Sequence, residues 1–154
     1  YYEMQELGYN YRITDIQCAL GLSQSTKLDM FLARRRALVT TYDAAFSGSC
    51  YCRPAQSIGR DSSSHHIYVL RIDFAAVAKS RGEIMRQLHA LGIVTQVHYI
   101  PVPTHPHFRR LGVAPEDYPN AQNYYRDALT IPLFFDLTEA DQQLVIASIR
   151  ELVG

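Results

Sequence analysis

No stretch of this sequence is long and apolar enough to cross a bilayer, since its longest apolar runs are a handful of residues. Charge of one sign is also missing, with Lys+Arg and Asp+Glu at 15 each. That balance argues against a nucleic-acid partner, which calls for a basic face or helix. No charged-then-apolar signal segment opens the chain, so no membrane partner and a cytoplasmic location are expected. Glycine is scarce and scattered, and the eight residues form neither G-x-x-x-x-G-K nor G-x-G-x-x-G. No G-x-S-x-G marks a nucleophile elbow. Cysteine occurs three times, at Cys18, Cys50 and Cys52, an odd number that makes no disulfide framework. Buried or half-buried thiols are the expectation. The scarcest residue of consequence is lysine, found only at Lys27 and Lys79.

What is present is ordinary globular material, 47% hydrophobic and 19% charged in 154 residues, enough for one domain with a core. The chain opens on Tyr1 and a motif-like YYEMQELGYNYR, which reads as a fragment of something longer. Thr14 and Gln17 make a capping box, and apolar residues recur near helical spacing from Ile16 to Phe46. This predicts a single long helix ending at Gly48, roughly 30 residues and about 45–50 Å. Arg34, Arg35 and Arg36 lie on it and read as a solvated face. Residues 53–64 read as an exposed loop, and 65–73 as a strand. Ser80 and Glu83 form a second capping box, with Gly92 as the helix stop. Ile93 to Ile100 reads as another strand, and Pro101, Pro103 and Pro106 then forbid regular structure. A short helix from Asn120 to Leu129, an extended TIPLF, and a last helix capped by Thr138 complete the chain. The last helix presents Leu144, Val145, Ile149 and Leu152 as its apolar face. The predicted class is α+β: a small, mainly antiparallel sheet covered by helices and preceded by a long helix. Residues 1–48 form a segment with the linking helix, and 49–154 the small domain.

Two stretches could carry chemistry. In GYNYRITD, residues 8–15, Asn10 offers donor and acceptor, and Arg12 a planar fork suited to phosphate or carboxylate. Both precede a helix N-terminus, where anions are welcome. The stretch reads either as an anion-binding turn or as a capped helix entry with a surface arginine. In TQVHYIPVPTHPHFRR, residues 95–110, His98 and Tyr99 end a strand and His105 and His107 follow in a loop. Three histidines so close suggest a metal, but without a Cys or acidic partner nearby they read better as loop residues with one in a pocket.

At these residues the sequence resembles the nucleotide-sugar aminotransferases of the DegT type, fold-type-I pyridoxal-phosphate (PLP) enzymes. ELGYNYRITDIQCALGLSQSTKLDMFLARRR, HIYVLRID, LHALGIVTQVHYIPV, PNAQNYYRDALTIPLF and LTEADQQLVIASI match in order across nearly the whole chain. The VHYIPV-x-x-HP stretch looks most like the subgroup making UDP-4-amino-4,6-dideoxy-N-acetyl-β-L-altrosamine, on the way to pseudaminic acid. The resemblance implies the C-terminal domain of the aspartate-aminotransferase-like fold. It also implies PLP held mainly by an N-terminal domain that lies outside this sequence. Amine transfer would run from an amino acid, usually glutamate, to C4 of a UDP-4-keto-6-deoxy sugar, in a homodimer with shared active sites. Asn10 is then assigned to the partner subunit's PLP phosphate, and Arg12, His98 and Tyr99 to the substrate. Pro103 and Ser25 depart from the family's usual histidine and leucine. Lys27 and Lys79 stand outside the family's Schiff-base context, so no catalytic residue is expected in this chain, and it should not transaminate by itself.

Overall fold

The computed structural model describes residues 8–9, 11–56, 59–60 and 62–154. The predicted long helix is two: α1 (Asp15–Ser25) and α2 (Leu28–Phe46), parted by a turn at Thr26 and Lys27. The cause is local. Ser25 Oγ donates to Leu22 O and Thr26 Oγ1 to Ser23 O, each at 2.8 Å. Hydroxyls that take carbonyls from the last turn compete with the helical ladder and end it. The N-terminal capping box forms as expected, with Thr14 N–H donating to Gln17 Oε1 at 2.9 Å and Gln17 N–H to Thr14 Oγ1 at 3.3 Å.

The apolar stripe is buried only in the second half of α2, at Leu38, Val39, Tyr42 and Phe46. No residue of α1 is buried, and Ile16, Leu20 and Leu22 stand 83%, 61% and 72% exposed. Nor are Arg34 and Arg35 a solvated face. The Arg34 guanidinium donates to the carbonyls of Phe135 and Leu137, and Arg35 Nη1 to His66 O at 2.9 Å and His65 O at 3.2 Å. The forks cap carbonyls of irregular backbone that no ladder serves. Charge runs alone could not reveal that role.

After α2 the chain forms β1 (Cys52–Pro54) and β2 (Tyr68–Ile72). These pair antiparallel, and β2 pairs antiparallel with β3 (Ala128–Ile131), in the order β1-β2-β3. Alternation on β2 aims Tyr68, Leu70 and Ile72 at the core and Arg71 at the other face. The core face packs on α2, on α3 (Arg81–Ala90) through Ile84 and Leu88, and on α6 (Glu139–Val153) through Val145, Ile146, Ile149 and Val153. In α6 the expected stripe is rotated: Leu144 is 48% exposed, and Gln142 is buried instead. Gln142 Nε2 donates to Leu38 O at 2.7 Å, which ties α6 to α2. Near Arg71 the second face meets α5 (Pro119–Asp127), whose Asn123 carbonyl accepts from Arg71 at 3.0 Å.

The strand expected at residues 93–100 is a single bridge. Gln96 N–H donates to Thr130 O at 3.0 Å and Thr130 N–H to Gln96 O at 2.8 Å. Continuing this antiparallel register one way meets Pro132, which has no N–H, and the other way meets the start of β3 at the end of α5. The ladder therefore has no room to grow. Beyond it, Val102–Thr104 makes a 3₁₀ turn and Pro106–Arg110 the short α4, so the proline stretch is less irregular than its sequence suggests. Proline near each start explains this, first in α4 at Pro106 and second in the 3₁₀ turn at Pro103, because its fixed φ suits a helix start.

Two expected outcomes follow from this layout. Ser80→Ala removes the acceptor of the Glu83 N–H at 3.2 Å and the hydroxyl donor to Glu83 Oε2 at 2.7 Å. It should lower stability by about 1 kcal/mol in a urea titration, the usual loss for an N-cap. The thiols also separate, since Cys18 and Cys50 are exposed and only Cys52 is buried. This corrects the expectation of buried or half-buried thiols: Cys18 rides on the uncovered α1, and Cys50 falls in the bend before β1. Burial pushes the Cys52 thiol above its ordinary value. A maleimide titration of the native protein should label two thiols quickly and the third only on unfolding.

Candidate functional site

The described residues place the candidate site where the Gln96 bridge meets β3. Thr130 is buried on β3, and its backbone N–H and C=O are both taken by Gln96. Two residues beyond Gln96, His98 Nδ1 lies 2.9 Å from Thr130 Oγ1. The Tyr99 ring stands edge-on to His98, with centroids 4.6 Å apart and planes at 89°. The His98–Tyr99 peptide is cis. His98 is half-buried, while Tyr99 is 73% exposed. One aromatic residue is thus fixed at the sheet edge, and the next projects outward.

The sequence assignments fare differently. His98 and Tyr99 do come together. Arg12 lies on the exposed segment entering α1, a different element of the fold. Asn10, assigned to a cofactor phosphate, lies outside the described residues. His105 precedes α4, and His107 packs edge-on to Phe108 at 5.2 Å. Among the described residues no three His, Cys, Asp or Glu side chains come together to hold a metal. Thr130 was missed, because nothing in a four-residue apolar strand signals a histidine partner 32 positions away.

The lysines can be tested against the Schiff base that PLP requires. Lys79 Nζ donates to Leu152 O at 2.8 Å, closing the last turn of α6. Lys27 sits in the turn between α1 and α2. Lys79 is thus engaged by backbone at the end of α6, and Lys27 is exposed in an interhelical turn. A groove beside β1 and β2, lined by Arg53, Arg71, Asp73, Arg126 and Asp127 among others, includes neither His98 nor a lysine in its lining. Its charges are largely internal pairs, with Asp127 taking Arg71 at 2.7 Å and Arg126 at 2.9 Å.

A three-stranded antiparallel sheet backed by α2, α3 and α6, led in by a separate exposed helix, is an arrangement shared with sugar aminotransferases. PseC of Helicobacter pylori, an aminotransferase involved in the biosynthesis of pseudoaminic acid, superposes with a TM-score of 0.87 at 29% identity. The match covers 98% of this chain and 40% of that one. The sequence makes the assignment specific: residues 1–150 match the DegT/DnrJ/EryC1/StrS aminotransferase family, and the chain belongs to it. It is 34% identical to the spore coat polysaccharide biosynthesis protein SpsC of Bacillus subtilis, over 99% of this chain and 40% of that protein. It is 33% identical to the UDP-4-amino-4,6-dideoxy-N-acetyl-beta-L-altrosamine transaminase of Campylobacter jejuni, over 93% of this chain and 38% of that protein. The chain thus spans about 40% of the length of the curated relatives it matches. Aminotransferases of this family are PLP-dependent. No helix among the described residues is long and apolar enough to cross a membrane.

Proposed function

We propose that this chain is the C-terminal part of a PLP-dependent aminotransferase. The enzyme moves an amino group from an amino acid, glutamate, to C4 of a UDP-4-keto-6-deoxy-N-acetylhexosamine for surface-glycan or flagellin modification. Bound PLP supplies the electron sink for amine transfer, and in this reading both it and its lysine are held mainly by chain outside this sequence. The residues here bind and orient. In a cytoplasmic homodimer with shared sites, Asn10 reaches the partner subunit's PLP phosphate. Arg12, His98 and Tyr99 contact the sugar nucleotide, Arg12 through its fork and His98 from a fixed sheet edge.

One observation carries this reading. The first helix has a capped, well-formed N-terminus and no buried residue at all, although Ile16, Leu20 and Leu22 are apolar. An apolar helix face left uncovered marks a surface made to be covered by more protein. Further support comes from the altrosamine transaminase among the relatives.

The test is to purify the product of the intact reading frame, record its cofactor absorbance, and assay amine transfer to UDP-4-keto-6-deoxy-N-acetylhexosamines. A yellow protein with glutamate-dependent turnover is expected, and this chain by itself should show none. A colourless, inactive product would leave the other reading, a non-catalytic sugar-nucleotide-binding or dimerisation module. That reading draws on the unsuited lysines.

A further inference from the structure

The histidine at the sheet edge can be taken one step further, to the atom it presents. We propose that Thr130 is a positioning residue that fixes His98 in its Nε2–H tautomer, so that His98 meets its ligand as a hydrogen-bond donor to an oxygen acceptor. The inference rests on the reading above only for what that ligand is, a sugar nucleotide.

A threonine hydroxyl has one proton to place and can also accept. Thr130 is buried at 5% exposure, and its backbone groups are both committed to Gln96. Among the described residues the partner of Oγ1 is His98 Nδ1, at 2.9 Å. Were Nδ1 protonated, it would donate to Oγ1 and leave the hydroxyl proton without an acceptor in a buried place. An unmade hydrogen bond there is expensive. The economical arrangement has Oγ1–H donating to Nδ1, which makes Nδ1 the acceptor and puts the ring proton on Nε2. Nε2 has no hydrogen-bond partner among the described residues, and His98 is only half-buried, which leaves that nitrogen for a ligand.

The geometry is fixed from two sides. Thr130 cannot shift along the strand because Gln96 pins it through paired backbone bonds of 3.0 and 2.8 Å. The imidazole cannot turn freely because the Tyr99 ring abuts it edge-on. A donor held this way is preorganised for the oxygen of a carbonyl, hydroxyl or phosphate, and it discriminates against a ligand offering only a donor at that point. Thr130→Val keeps the shape and removes the hydroxyl; Thr130→Ser keeps the hydroxyl.

Nitrogen-15 NMR of the histidine side chains in the product of the intact reading frame, above the histidine titration range, reads the tautomer directly, with His98→Gln identifying the resonance. His98 should be the Nε2–H form in the wild type and in Thr130→Ser, and should lose that preference in Thr130→Val. A wild-type His98 in the Nδ1–H form overturns the proposal without any variant having to fold, and so does an unchanged tautomer in a folded Thr130→Val. UDP-N-acetylglucosamine, added as probe, should shift the His98 Nε2 resonance in the wild type. If the tautomer is as stated but the probe moves nothing, the positioning role of Thr130 stands and the assignment of His98 to a sugar-nucleotide pocket falls.

Discussion

Tyr42→Ala should destabilise the domain by about 3–5 kcal/mol, the range for removing a large buried aromatic. Tyr42 is fully buried in the second half of α2, with its ring 4.8 Å from that of Tyr68 and 6.1 Å from that of Phe46. Its hydroxyl donates to Pro132 O at 2.8 Å, joining α2 to the chain just after β3. Burial pushes its phenol well above the ordinary value, so it remains a donor at every practical pH. Alanine removes the packing and the donor together. Against a total stability of about 5–15 kcal/mol, that loss should leave a visible unfolded fraction in a urea titration followed by far-UV dichroism. Tyr42→Phe keeps the ring and should cost about 1 kcal/mol. If Tyr42→Ala were no worse than Tyr51→Ala, at a 39% exposed position, the described core would be wrong.

Asp127→Ala should cost about 2 kcal/mol at neutral pH, between the values for exposed and fully buried ion pairs. Asp127 closes α5 and receives both Arg71 and Arg126. Arg71 and Asp127 are each largely covered, at 24% and 21% side-chain exposure, and Arg71 Nε is already buried without a partner. Losing the carboxylate would leave the half-buried Arg71 cation with only the Asn123 carbonyl to offset it. Burial by itself raises the Asp127 carboxyl, but hydrogen bonds from Arg126 and Arg71 outweigh it and hold the group below its usual value. A carboxyl depressed by folding adds stability that is complete above its unfolded pKa of about 3.9 and is lost as pH falls through the folded value. The wild type should therefore lose part of its stability below about pH 4, and Asp127→Ala should lose less over the same window. Equal acid sensitivity of the two proteins in urea titrations at pH 3 and pH 7 would refute this.

Much of the local structure was legible. The capping boxes at Thr14 and Ser80 formed as read, because a cap needs only residues three apart. The Gly92 stop held for the same reason: it sits at φ 78 with its N–H on His89 O at 2.9 Å. The misreadings share a different cause. Apolar residues recur in helical phase on both sides of Ser25 and Thr26, so periodicity joined what two hydroxyls divide. Periodicity also made α1 look like core, whereas its apolar face is bare. The Ile93–Ile100 stretch has strand composition, yet a strand needs a partner, and β3 offers one only at Thr130. Of the candidate site, His98 and Tyr99 were readable as neighbours in sequence, but Thr130 was not.

The sequence by itself determined the family, the α+β class, and the caps and stops, because each is a property of neighbouring residues or of ordered motifs. Tertiary structure alone decided which apolar faces are buried, that Arg34 and Arg35 serve distant carbonyls, and that Thr130 holds His98. Those depend on groups some 30 to 100 residues apart being brought within hydrogen-bond reach, and the side chains involved carry no mark of the partner they will meet.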